Sequence, residues 1–130
     1  MRKYLDANII ENTKGMPKDE WLMKRKCGIG GSDASSILGL NPYRSSMAVY
    51  IDKIDNENDV RNLEKHTSYK MELGNKLKSF VASEFMLKTG KKVRNINGML
   101  RNDKYPFAIA NIDRAVVGEK AFLECKVTNS

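Results

Sequence analysis

Residues 68–89, SYKMELGNKLKSFVASEFMLKT, carry the longest helical pattern in the chain, and the pattern changes directly after it. Met71, Leu77, Val81 and Phe85 recur at helical spacing, which predicts one apolar stripe, and Gly90 supplies a stop. Beyond residue 90 the period falls to two. KKVRNINGML (91–100), PFAIANIDRAVV (106–117) and AFLECKV (121–127) have strand character. Gly118-Glu119-Lys120 reads as a hairpin turn between the last two. A long helix followed by locally paired strands restricts the chain to an α/β or α+β fold.

The N-terminal half reads as shorter pieces. Residues 1–20 open with a short helix or strand and a polar lead-in. MPKDEWLMKRK (16–26) has helix-start chemistry, with Pro17 early, Asp19 and Glu20 in the first turn and basic residues late. Gly28 stops it. Ser32 or Asp33 can cap the next helix, 33–39, which ends at Gly39. Pro42 breaks the chain, and SSMAVYIDKI (45–54) is helical again. Residues 55–67 read as a charged loop whose His66 is an isolated, exposed residue rather than a catalytic one. With 130 residues, the expectation is one domain spanning 1–130.

Charge and composition narrow the function classes. Hydrophobic residues make up 41% and charged residues 30%, the balance of a soluble globular protein. No apolar run approaches the roughly 18 residues of a membrane span, and MRKYLDANIIENTKG lacks a signal-peptide core. Cys27 and Cys125 lie far apart without a CxxC pair, which fits a reduced cytoplasmic compartment and leaves a disulfide open. The net charge of +7 suits a polyanionic partner such as nucleic acid. A basic protein with no such partner is an equal alternative on charge alone.

Two stretches carry chemistry. On the 121–127 strand, Leu123, Cys125 and Val127 share one face, while Phe122, Glu124 and Lys126 share the other. Asp113, across the hairpin, can join Glu124 and Lys126. Two carboxylates offer hard oxygen ligands to Mg²⁺ or Mn²⁺, and a lysine beside them can orient an attacking water or stabilise phosphate charge. A solvated strand face bearing a Glu/Lys pair is the commoner meaning of the same spacing. The second stretch is GIGGSDASSILGLNPYRS (28–45), a glycine loop feeding a helix start between Arg25 and Arg44. Free N–H groups at a helix start attract anions, and glycines permit close approach of a phosphate. GIGGS is not a Walker A loop, since no GK[ST] follows. A flexible connector with an ordinary cap is the alternative.

Asp113 followed by Glu124-Cys125-Lys126 resembles the D…ExK signature of the PD-(D/E)XK nuclease superfamily. Taken with GIGGSDASSILGLNPYRS, LGNKLKSFVASEFMLKTGKKV and YPFAIANIDRAV, the chain resembles the YqaJ-type viral recombinases, relatives of phage lambda exonuclease, over about residues 18–128. The resemblance implies a restriction-endonuclease-like core, a small mixed sheet flanked by helices. It implies a Mg²⁺- or Mn²⁺-dependent deoxyribonuclease that processes 5′ ends of double-stranded DNA in phage recombination. The implied location is the cytoplasm of a bacterial host, with a phage single-strand annealing protein as a further partner. Asp113 and Glu124 match the family's metal-binding carboxylates, Lys126 its catalytic lysine, and the Cys125 carbonyl its backbone metal ligand. Arg25 and Ser32 match positions that hold a DNA phosphate. Arg44 is assigned a further phosphate contact from its charge.

Two departures from the pattern shape the expectation. The family carries a glutamate four residues after the helix glycine; here that glycine is Gly74 and the residue is Lys78. A cation there opposes a divalent metal. Glu72 and Glu84, each six positions from Lys78, are turned about 120° away on a helix and do not replace it. The sequence also ends four residues after Lys126, where the family continues with further strands and helices. The expectation is a family domain without its C-terminal part, its last strand an open edge. Two functions follow: a metal-dependent nuclease domain, or a catalytically impaired DNA-binding remnant of one.

Overall fold

A computed structural model describes residues 2–55 and 69–128; His66 and most of the expected 55–67 loop lie outside the described residues. The chain divides into two compact units, Met1–Lys65 with Asn97–Asn111, and His66–Ile96 with Ile112–Ser130.

The first unit is built on a hairpin. β1 (Lys3–Tyr4) pairs antiparallel with β2 (Ala7–Asn12), so the opening residues are strand. β2 pairs with β4 (Gly98–Arg101), with a register shift between Ile9 and Glu11, and β4 pairs with β5 (Ile109–Ala110). All pairings are antiparallel, in the order β1-β2-β4-β5. Met99, Leu100 and Ile109 are buried on this sheet. α1 (Lys18–Lys24) starts after Pro17, places Asp19 and Glu20 in its first turn, and tightens into a 3₁₀ turn over Arg25–Cys27. α2 spans Gly31–Ile37, and α3 spans Ser46–Ile54 with the Ser45 hydroxyl accepting from the Ala48 N–H at 3.1 Å. α2 begins earlier than the expected 33–39. Gly30 is its N-cap and Asp33 its third residue, so Asp33 reaches back to the cap rather than serving as the cap itself.

The second unit joins α4 (Tyr69–Thr89) to a sheet of β3 (Val93–Arg94), β6 (Arg114–Val116) and β7 (Phe122–Leu123), ordered β3-β6-β7 and antiparallel throughout. The Gly90 N–H closes α4 on the Met86 carbonyl at 2.9 Å. Ala82 is the buried centre of the helix stripe, with Leu77, Val81 and Phe85 half-buried around it; the Met71 side chain is outside the described residues. Ile96, Ala115, Val116 and Cys125 complete the core of this unit. β6 and β7 form the expected hairpin, closed by the Val116 N–H on the Ala121 carbonyl at 3.0 Å.

The expected 106–117 strand is in fact two strands in two sheets. β5 ends at Ala110 and β6 begins at Arg114, with a break over 111–113. Pro106 has no N–H for a ladder, and the stretch around it turns. Asp113 uses its side chain, not a strand pairing, to bind the Cys125 N–H. The 121–127 segment is likewise regular strand only at Phe122–Leu123. The mixed α and β content with short antiparallel sheets is that of a small α+β fold, as expected. Among the described residues no helix is long and apolar enough to cross a membrane, and both cysteines are free thiols.

Candidate functional site

The glycine loop of the first unit sits against the β4–β5 connection. The Ile29 N–H donates to the Phe107 carbonyl at 2.7 Å, and the Ile109 N–H donates to the Ile29 carbonyl at 3.0 Å. Only glycine fits at residue 28 in this packing: a Cβ there would lie 2.7 Å from Ile109 Cγ2 and 2.7 Å from the Phe107 carbonyl oxygen. Beyond this anchor the loop delivers Ser32, whose Oγ accepts from Arg25 Nη2 at 3.1 Å. The Arg25 guanidinium lies 4.8 Å from the centroid of the Trp21 ring, a cation–π contact that fixes its orientation. Trp21 is itself tied through Nε1 to Asn111 Oδ1 at 3.4 Å. Gly30 keeps the approach open, since a Cβ there would meet Arg25 Nη2 at 3.1 Å.

A cavity of about 250 Å³ opens beside these residues, lined by Arg25, Ser32, Asp33, Arg44, Asp52 and Lys53 among others. Its charges are unequally balanced. Asp33 is only 3% exposed. It accepts from the Gly30 N–H at 3.0 Å and pairs with Arg44 Nη1 and Lys53 Nζ, each at 3.0 Å. Burial would raise the Asp33 carboxyl's pKa, but the Gly30 N–H and the two cations outweigh it and hold it below the ordinary value. Arg44 spends its other nitrogen on Asp52, at 2.5 Å. Arg25 makes no ion pair among the described residues, and its Nε is buried without a hydrogen-bond partner. The Gly30 N–H at the α2 cap is filled by Asp33.

The second unit assembles a different cluster. The β6–β7 register pairs Arg114 with Leu123, which sets Asp113 and Glu124 one step further along. Asp113 Oδ1 pairs with Lys78 Nζ at 2.8 Å, and Oδ2 accepts from the Cys125 N–H at 2.8 Å. Burial pushes the Asp113 carboxyl up, yet Lys78, the Cys125 N–H and the charge of Lys126 together bring it below its ordinary value. Glu124 and Lys126 point outward, with side chains 43% and 75% exposed, and pair at 2.9 Å. Glu124 raises the Lys126 pKa through that contact. Cys125 points inward, and burial, then the Asp113 charge, raises its thiol.

A family model described as the YqaJ-like viral recombinase domain matches residues 20–130. The chain belongs to the YqaJ-like viral recombinase family. It is 43% identical over 124 residues to "Uncharacterized protein YqaJ" of Bacillus subtilis (strain 168), an alignment that covers 95% of this chain and 38% of that protein. The chain thus spans 38% of the length of the curated relative it matches. No solved structure matches it significantly.

Within this viral recombinase domain, the expected site residues fall into two groups. Arg25 and Ser32 are in direct contact, and Arg44 is neighbour to both through Asp33 and the cavity wall. Asp113 and Lys126 are close enough to interact electrostatically, and Glu124 holds Lys126. A divalent metal does not fit the second group as arranged. Both Asp113 oxygens are engaged, one by an ammonium. Among the described residues no three His, Cys, Asp or Glu side chains gather to hold an ion. Cys125 turns its N–H toward Asp113. Sequence reasoning missed Lys53 and Asp52, whose only signal was their charge on the α3 helix, and Trp21, whose contact with Arg25 no local pattern announces.

Proposed function

We propose that this viral recombinase domain binds the sugar-phosphate backbone of double-stranded DNA through Arg25 and Ser32 and does not cut it. The observation that carries the binding half is the imbalance of the cavity. Arg44 and Lys53 are neutralised by buried and half-exposed carboxylates, whereas Arg25 is oriented by Trp21 and Ser32 and has no counter-charge among the described residues. Phosphate supplies the missing anion, and a guanidinium with a neighbouring hydroxyl is suited to it. In this reading Arg44 is a strut that holds the loop to α3, not a phosphate ligand.

The second half rests on Lys78. Its ammonium pairs with Asp113 Oδ1, an oxygen that the metal-dependent reading assigns to the ion. The Asp113–Glu124–Lys126 set supports descent from a Mg²⁺- or Mn²⁺-dependent nuclease, and that activity is the competing reading. A 5′-phosphorylated, end-labelled duplex incubated with the protein in Mg²⁺ separates them. The expected result is a mobility shift with intact DNA recovered afterwards. Shortened products that grow with protein concentration would establish the nuclease instead.

A further inference from the structure

We propose that Tyr105 and Phe107 form a stacking platform for unpaired bases of the DNA strand whose phosphate Arg25 and Ser32 hold; this rests on the DNA-binding reading above. The β4–β5 connection, Asn102-Asp103-Lys104-Tyr105-Pro106-Phe107-Ala108, presents both rings to solvent, 48% and 59% exposed. Their centroids are 6.1 Å apart and the rings are tilted by 57°. Lys104 Nζ lies 5.2 Å from the centroid of the Tyr105 ring.

The loop that carries them is braced on every side. Asn102 Oδ1 accepts from the N–H groups of Lys104 at 2.8 Å and Tyr105 at 3.1 Å. The Ala108 N–H closes a turn on the Tyr105 carbonyl at 2.8 Å, with Pro106 at the position that favours it. Asn8 Nδ2 donates to the Asp103 carboxylate from β2. Both rings stay about half exposed on this braced turn. Isolated exposed apolar residues need no explanation, but a braced aromatic pair beside a cation has the composition of a base-binding surface.

Position supplies the rest. Phe107 is hydrogen-bonded directly to Ile29, and Ser32 is three residues on, within about 11 Å along the chain. About three nucleotides of a stacked strand, at about 3.4 Å each, cover that distance. A strand whose phosphate sits at Arg25 and Ser32 can therefore lay its neighbouring bases on Phe107 and Tyr105, with Lys104 against the backbone. Stacking needs unpaired bases, because a closed duplex hides their faces. The platform selects single-stranded overhangs or frayed ends over blunt ends.

The test uses 5′-phosphorylated duplexes, blunt or with a three-nucleotide overhang at either end, carrying 2-aminopurine in the unpaired stretch. The unaltered protein should bind one overhang duplex more tightly than the blunt one and quench its 2-aminopurine. The paired substitution Tyr105→Ala with Phe107→Ala should remove the quenching and cost about tenfold in overhang affinity per stacked base, leaving blunt affinity unchanged. Phe107→Trp should retain both signals. Salt-sensitive binding that depends on Arg25, without quenching or overhang preference, overturns the platform and spares the DNA reading. Failure to bind any duplex overturns both.

Discussion

Asp33 and Lys78 are each one residue on which a charged network turns. Asp33 joins Gly30, Arg44 and Lys53 from a buried position. Asp33→Asn leaves two partly exposed cations facing a neutral amide. The expected loss is about 2 kcal/mol, between the ~0–1 of exposed pairs and the ~3–5 of a broken buried one. Denaturant melts of the two forms measure it. Because the folded-state pKa of Asp33 is depressed, its contribution is fully present above its ordinary value of 3.8 and disappears as pH falls through the lowered one. Below that range the native and Asp33→Asn proteins should converge in stability. A gap that persists there would assign the loss to packing instead. Lys78 has the opposite sense for metal. An ammonium about 4 Å from a divalent ion repels it by about 8 kcal/mol at an effective dielectric near 20. Lys78→Glu exchanges that repulsion for an oxygen ligand. Calorimetry with Mn²⁺ should show no saturable binding by the unaltered protein and saturable binding by the variant. Equal heats in both would move Lys78 away from the metal position.

At the scale of elements, what could be read in advance followed local chemistry. The helical segment 45–54 after the break at Pro42 announces α3, the pattern of 68–89 announces α4, and Gly118-Glu119-Lys120 announces the β6–β7 hairpin. Alternation anticipates the exposed Phe122, Glu124 and Lys126 and the buried Cys125, but regular strand ends at Leu123, and Val127, expected on the face of Cys125, is exposed. Alternation does not show where a strand changes sheets, so the division of 106–117 into β5 and β6 was illegible. The Lys78–Asp113 contact joins residues 35 apart in sequence, and only packing of α4 decides it. Asp33 looked like a cap because its two cations arrive from later segments. Gly28 is the element-scale test. An added methyl would press on Ile109 and the Phe107 carbonyl at 2.7 Å, and the glycine loop would have to lift from the β4–β5 turn. Gly28→Ala should cost about 1–3 kcal/mol in thermal or denaturant unfolding. It should also weaken binding to overhang DNA more than to blunt DNA. An unchanged melt would mean that the loop is not seated on that turn.

For the molecule as a whole, the surplus of seven positive charges favours a polyanion at long range, and in the proposed DNA-binding role Arg25 is its point of attachment. Backbone contacts position a protein without reading sequence, so duplexes of different base composition should bind alike. The central claim is that this chain holds DNA by its phosphates, and the dependence of duplex affinity on salt tests it most directly. Fluorescence anisotropy with a labelled blunt duplex, repeated across a salt series, gives log Kobs against log salt. The account predicts a straight, steeply falling line for the unaltered protein. For Arg25→Ala it predicts weaker binding and a slope smaller in magnitude by about 0.9, the share of one released phosphate contact. A flat line, or identical slopes for the two proteins, would contradict it.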